Sequence, residues 1–185
     1  ILGFNVQTDP QVRKQAAAEG VEIRLYAIIY QLLDDIHAAL LSLGFDDVFP
    51  VAAVTDDIAT AARSFLDESI HPEFPRPVIS SSCPTIIKLI QIRFPTLLDH
   101  IVPVIAPMEL AARKAREDVT KKRPEIAADD IGIWFLSPCA GKITEARAPL
   151  GGETSSVTGV FSMKDLHLPI LQALGKCASR SSPPR

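Results

Sequence analysis

The stretch ILGFNVQTDPQVRKQAAAEGVEIRLYAIIYQLLDDIHAALLSL, residues 1–43, sets the fold class. Ile1 to Val6 is a short apolar run, and Asp9-Pro10 supplies a helix N-cap followed by proline at the first helical position. The helix runs through Val12, Ala16 and Ala18 until Gly20 stops it. Val21 to Tyr26 alternates apolar and charged residues, the period of a half-buried strand. Ile28, Ile29, Leu32, Leu33, Ile36 and Leu40 then recur at helical spacing, and Gly44 ends that helix. Strand, helix, strand, helix implies parallel pairing through crossovers, an α/β fold.

The rest repeats the alternation. Expected strands lie at Asp47–Val54, Pro77–Ser80, Val102–Ile105, Ile131–Leu136 and Val157–Ser162. Expected helices run from an N-cap at Thr55 to about Glu68, from Pro84 through Phe94, over a short turn at Leu97–Ile101, from Pro107 to Lys122, and from Lys164 to Leu174 with an interruption at Pro169. Ile70–Arg76, rich in proline, is a loop. The expected architecture is a mainly parallel sheet with helices on both faces. It divides into a βαβα segment (1–43), an α/β domain (44–175) and a disordered Ser/Pro tail (176–185).

Composition narrows the classes. Of 185 residues, 47% are hydrophobic and 22% charged, enough apolar content to order one ordinary domain or two small ones. A net charge of −3 argues against binding nucleic acid or an anionic membrane through bulk charge. Cys83, Cys139 and Cys177 are too few and scattered for a disulfide-stapled fold, and a cytoplasmic, reducing compartment is expected. No apolar run reaches the length that spans a bilayer, and no signal-peptide pattern is present. Ile rather than Met at position 1 suggests a chain cut from something larger.

Cys83 and Cys139 each follow an expected buried strand and adjoin a proline, as Cys83-Pro84 and Pro138-Cys139. Strand carboxyl ends are where open parallel sheets bind ligands. Two thiolates there would suit an iron–sulfur cluster or zinc, although two cannot close a four-coordinate site. The alternative is two small buried hydrophobes, the usual state of isolated cysteines. Other motifs carry less. Gly141-Lys142 fails the phosphate-loop pattern at Leu136 and Ile143. His37, His71, His100 and His167 lack ligand spacing, Ser80-Ser81-Ser82 has no nucleophile elbow, and the Asp-Asp pairs read as solvated charge.

Two resemblances follow. Residues 1–43, through Gly3-Phe4-Asn5-Val6, Val21-Glu22-Ile23-Arg24, Ile28-Ile29-Tyr30 and Asp34-Asp35-Ile36, resemble part of the small third domain of bacterial translation initiation factor two. That implies a structural piece, not a GTPase. From about Ala38, AALLSLGFDDVF, VISSSCPTIIKLIQIRFPTLLDHIVPVIAPMELAARKA, IGIWFLSPCAGKITEARAPLG and SSVTGVFSMKDL resemble the iron-only hydrogenase large-subunit domain, in its divergent, sensory form. The resemblance implies that Cys83 and Cys139 are two of four ligands to a cubane 4Fe–4S cluster. It also places Lys142 where a lysine bonds a diatomic ligand of the diiron unit, and Glu145 on a proton path.

The chain departs from that pattern. Ser82 stands where active enzymes place a proton-relaying cysteine, and a hydroxyl releases its proton far less readily than a thiol. Ser137 replaces a methionine. The motif supplying the last two cluster cysteines is missing, and Cys177 does not match it. The resemblance therefore implies an incomplete cluster module, sensory or electron-transfer related, without hydrogen turnover of its own and without the diiron unit. A second chain would complete the ligands. The alternative is a binding segment of a translation factor, or an inactive scaffold. Two families joined inside the Ala27–Leu43 helix suggest a chimera.

Overall fold

The computed structural model describes residues 1–148 and 154–180. The chain divides into two compact units, one joining Ile1–Val48 to the segment that begins at Lys164, the other Phe49–Met163. Half of the Ser/Pro tail expected at 176–185, residues 181–185, lies outside the described part. Backbone helix continues as far as Arg180.

In the first unit, β1 (Leu2–Phe4) and β2 (Arg24–Tyr26) pair in parallel across α1 (Pro10–Ala18). Asp9 caps α1 by accepting from the Gln11 amide at 2.7 Å. The far end closes as a Schellman motif, with Val21 N donating to Ala16 O at 2.7 Å and Gly20 N to Ala17 O at 3.2 Å. Gly20 makes that possible by adopting φ +67°. After β2 come α2 (Ile29–Ser42) and, from the distant C-terminal segment, α7 (Met163–Arg180). Arg24 fastens α7 to β2, its Nη2 donating to Leu174 O at 2.6 Å while Nε pairs with Glu22 at 2.6 Å. Tyr26, buried, donates its hydroxyl to Asp35 at 2.6 Å. Burial and that bond hold the Tyr26 hydroxyl above its ordinary pKa, against a smaller opposing effect of Arg24. Pro169 lies inside α7 without ending it, so the interruption expected there is absent.

In the second unit, a 3₁₀ turn at Val51–Val54 leads into α3 (Thr55–Ser64). The strand expected at Asp47–Val54 is therefore absent. Pro50 and two alanines favour a tight turn over a ladder, and the turn buries Val54 completely against α5. Val54, not Thr55, occupies the cap position of α3. That helix stops at Ser64 rather than Glu68. Asp67 there accepts from the Ser69 amide and hydroxyl, a local turn that competes with helix.

Next come α4 (Pro84–Arg93), a 3₁₀ turn at Pro95–His100, and α5 (Pro107–Lys122). The strands expected at Pro77–Ser80 and Val102–Ile105 reduce to one parallel bridge, Ile79 with Ile101. Pro103 has no amide to extend it. β3 (Trp134–Ser137) pairs in parallel with β4 (Gly159–Ser162), and α6 (Ala140–Arg147) leaves from the carboxyl end of β3. Trp134 lies opposite Gly159 in that register and stacks on Phe161 with ring centroids 4.7 Å apart. The core gathers Met108, Ala112 and Val157 with Ile133, Phe135, Ala146 and Val160. Glu109 and Arg116 of α5 hold the segments leading into both strands. Glu109 accepts from the Ser156 amide at 2.7 Å, and Arg116 donates to Ile131 O at 3.0 Å and Ser156 O at 3.1 Å. The chain is thus α/β with parallel pairing throughout its described ladders.

Candidate functional site

Cys83 and Cys139 occupy equivalent places in the second unit. Each is the N-cap of a helix, α4 for Cys83 and α6 for Cys139, with extended backbone at φ −108°, ψ 105° and φ −100°, ψ 115°. Neither side chain caps its helix. Both thiols are free and exposed, so the reading of these residues as small core hydrophobes does not hold.

Short-range sequence chemistry sets both turns. Pro84 is preset for the first turn of α4 and is itself buried. On the other side, the buried hydroxyl of Ser137 accepts from the Cys139 amide at 3.2 Å, turning the end of β3 into α6. The Cys139 carbonyl then receives the Lys142 amide at 3.1 Å.

Gly141 brings the two turns together. A Cβ placed there would sit 2.5 Å from Thr85 Oγ1, 3.5 Å from Pro84 Cγ and 3.6 Å from Cys139 Sγ. The absent side chain lets the first turn of α6 nest on Pro84-Thr85, and α4 packs against α6. Two thiols therefore stand at the adjoining N-terminal ends of two helices, where unpaired amides and the helix dipoles favour an anion.

The other candidates surround this point. Ser82, exposed, precedes Cys83 and accepts from the Ser80 hydroxyl at 3.1 Å, while Ser81 is tied to Val104 O at 2.8 Å. Lys142 and Glu145 pair with each other at 2.7 Å, their side chains only 16% and 9% exposed. Cys177 belongs to α7 and to the first unit. Among the described residues no three His, Cys, Asp or Glu side chains gather into a metal-binding group. The donor chemistry fits an iron–sulfur group, and the donor number is half of what a cubane cluster takes. The packing role of Gly141 against Thr85 is not evident from the sequence pattern. Glycine two places after the Pro-Cys step was the available signal, since a helix N-terminus without side chains suits close approach.

A cavity of about 440 Å³ beside α5, lined by Arg113, Arg116, Glu117, Thr120, Lys121, Ala128 and Ser156, lies apart from the cysteine site. Its cations are already engaged. Arg116 holds backbone carbonyls and Lys121 pairs with Glu117 at 2.7 Å. No helix among the described residues is long and apolar enough to cross a membrane.

Residues 5–173 match the family model described as iron only hydrogenase large subunit, C-terminal domain. The chain belongs to that family. The match to the hydrogenase family begins well ahead of Ala38 and takes in most of the βαβα segment. Among solved structures, two variants of the FeFe-hydrogenase HydA1 from Chlamydomonas reinhardtii superpose with TM-scores of 0.60 and 0.61, at 22% and 20% identity. Each superposition covers 80% of this chain and 36% of the algal one, so the likeness is one of fold and concerns about a third of those hydrogenases. A short segment has a second kinship. Over 43 residues it is 58% identical to translation initiation factor IF-2 of Mesorhizobium japonicum, and over 40 residues 62% identical to that of Phenylobacterium zucineum. Those segments are 23% and 22% of this chain, and 5% and 4% of the factors.

Proposed function

We propose that this chain is the partial cluster-binding module of a hydrogenase-like protein, serving sensing or electron transfer rather than turning over hydrogen by itself. The observation that carries the reading is the placement of Cys83 and Cys139 at the N-termini of two helices that pack together through Gly141. These two thiolates would hold a 4Fe–4S cluster from one side, and the cluster would supply reversible one-electron transfer. The amide ends of α4 and α6 favour the anionic assembly. Ser137 holds the Cys139 turn, and Gly141 keeps the approach open. Lys142 and Glu145 neutralise each other beside it, and Ser82 offers a hydroxyl where proton relay would need a more acidic group. Cys83 and Cys139 are two of the four ligands that a cubane cluster takes.

Anaerobic reconstitution with iron salts and sulfide tests this. The expected product is brown, with iron and sulfide in equal amounts, and Cys83→Ala and Cys139→Ala each abolish it without unfolding the chain. A colourless, folded parent protein overturns the reading.

The initiation-factor segment favours a second reading, a structural or binding piece that associates with ribosomes without metal. Metal-independent co-sedimentation with bacterial ribosomes, lost on deletion of residues 1–43, would support it. A fused α/β scaffold without activity predicts neither result.

A further inference from the structure

Helix α3 is followed by a loop, residues 65–76, that folds back on the helix's own C-terminal end. Phe65 is the C-cap of that helix. Arg76 closes the loop, its Nη1 donating to Phe65 O at 3.0 Å and its Nη2 to Leu66 O at 3.3 Å. A cation is favoured at this end, where the last carbonyls of a helix lack amide partners. Within the loop, Ile70 N and His71 N donate to Asp67 O at 3.1 and 3.0 Å, and Phe74 N donates to His71 O at 3.2 Å. A surface loop whose ends meet and whose own side chains fill it is a compact unit.

Three half-buried rings do the filling. His71 lies flat on Phe65, with centroids 4.3 Å apart and planes 5° from parallel. Phe74 meets Phe65 edge-on at 5.0 Å. The imidazole Nδ1 also lies 3.4 Å from Glu73 Oε1. One titratable ring therefore sits between an aromatic face and a carboxylate, and both attract a cation.

The other charged side chains of the loop are Asp67, Glu68 and Arg76, and the last turn of α3 adds Arg63. The Ser69 hydroxyl and amide hold the Asp67 carboxyl below its ordinary range. Glu73 is held low by its own amide and by His71. Arg76 pairs with Glu68 at 3.8 Å. Carboxylates titrate below, and arginine above, the interval of about pH 5 to 8 in which imidazole takes up its proton. Histidine is thus the side-chain type in this loop whose charge changes there.

We propose that residues 65–76 form a pH-sensitive clasp, closed more tightly when His71 carries a proton between the Phe65 ring and Glu73. Neutral imidazole gives Phe65 a stacking partner and Glu73 an uncharged donor. The imidazolium adds charge to both contacts, so acid favours the closed loop and the gain is lost as pH rises. Arg76, a second cation at the same helix end, opposes this, but Glu68 and two carbonyls already share its charge. An exposed cation–π contact and a surface ion pair together amount to about a three- to tenfold shift in the closing equilibrium. The clasp ends where the segment leading to Cys83 begins, so its closure governs how freely the start of that segment moves. Just past it stands another imidazole, His100, with Nδ1 2.9 Å from Pro77 O.

The test is amide hydrogen exchange on the full chain between about pH 5 and 8, corrected for the intrinsic exchange rate. The amides of Ile70, His71 and Phe74 should be about three- to tenfold better protected at the acid end, while those of α5 stay level. His71→Phe keeps a ring on Phe65 and removes the proton. It should abolish the pH dependence at Ile70 and Phe74 with circular dichroism unchanged, and Glu73→Gln should reduce it. Protection of the parent loop that does not change with pH overturns the proposal. So does a pH dependence that survives His71→Phe, which would point to His100 instead.

Discussion

Removing Glu145 should destabilise the second unit far more than a surface ion pair would. Lys142 and Glu145 lie one turn apart on α6 at 2.7 Å, with side chains 16% and 9% exposed. Their order opposes the helix dipole, since the cation sits in the first turn and the anion in the second. Helix electrostatics therefore do not account for the pair, and each charge depends on the other. Orphaning one member of a fully buried pair costs about 3–5 kcal/mol. Water still reaches Lys142, so Glu145→Ala should cost about 2–3 kcal/mol. Glu145→Gln keeps an acceptor and should cost about 1 kcal/mol. Lys142→Met combined with Glu145→Leu should come within about 1 kcal/mol of the parent, because apolar replacement of a whole buried pair is often neutral. With Lys142→Met alone also costing at least about 1 kcal/mol by orphaning Glu145, the two single costs exceed that of the double variant by about 2 kcal/mol or more, which is the coupling energy of the cycle. Urea unfolding can be followed by Trp134, the sole tryptophan, on the strand from which α6 departs. Additive single variants, each within about 0.5 kcal/mol of the parent, would refute the reasoning.

Other consequences are open to measurement. Gly159→Ala places a Cβ 2.5 Å from the Trp134 ring, so the ring must leave its stack on Phe161. Tryptophan emission should shift to the red at a cost of about 1–2 kcal/mol, and unchanged emission would contradict the contact. In Tyr30→Phe, Tyr26 is the only tyrosine left, and tyrosinate absorbance should appear above the ordinary value near 10. Because the folded-state value is raised, the stability from Tyr26 is complete below the ordinary value and is lost as pH climbs through the folded one. A midpoint at or below the ordinary value would exclude that burial. Arg24→Met removes a charged bond to Leu174 O and should cost about 1.5–3 kcal/mol, with faster amide exchange in α7. Exchange unchanged in α7 would show that Arg24 does not hold it.

The elements most legible in the sequence were those with chemical punctuation at both ends. Asp9-Pro10 and Gly20 bracket α1, and Pro107 with a basic C-terminus brackets α5, because caps and prolines act over a few residues. Strands were less legible. Val102-Pro103-Val104-Ile105 has the composition of a strand, but its pairing depends on amides that Pro103 lacks. Pro50-Val51-Ala52-Ala53-Val54 has two valines of strand propensity, but Pro50 and the alanines between them favour the tight turn. The candidate site divides in the same way. Cys83 and Cys139 stood out through their prolines and the strands before them. Their adjacency did not, because it depends on Gly141 meeting Thr85 across 56 positions of chain. The placement of α7 beside β2 was likewise invisible, since no local pattern ties Arg24 to a carbonyl 150 positions away.

That placement governs the order in which the chain can become structured. Phe49–Met163 is continuous, so every residue of its unit is available once Met163 has left the ribosome. The first unit is interrupted by those residues, and Arg24 cannot reach Leu174 until the intervening chain has been synthesised. Contacts so far apart in sequence close late. The parallel pair β1–β2, with its Arg24–Leu174 bond still to come, is therefore exposed to rival partners throughout synthesis.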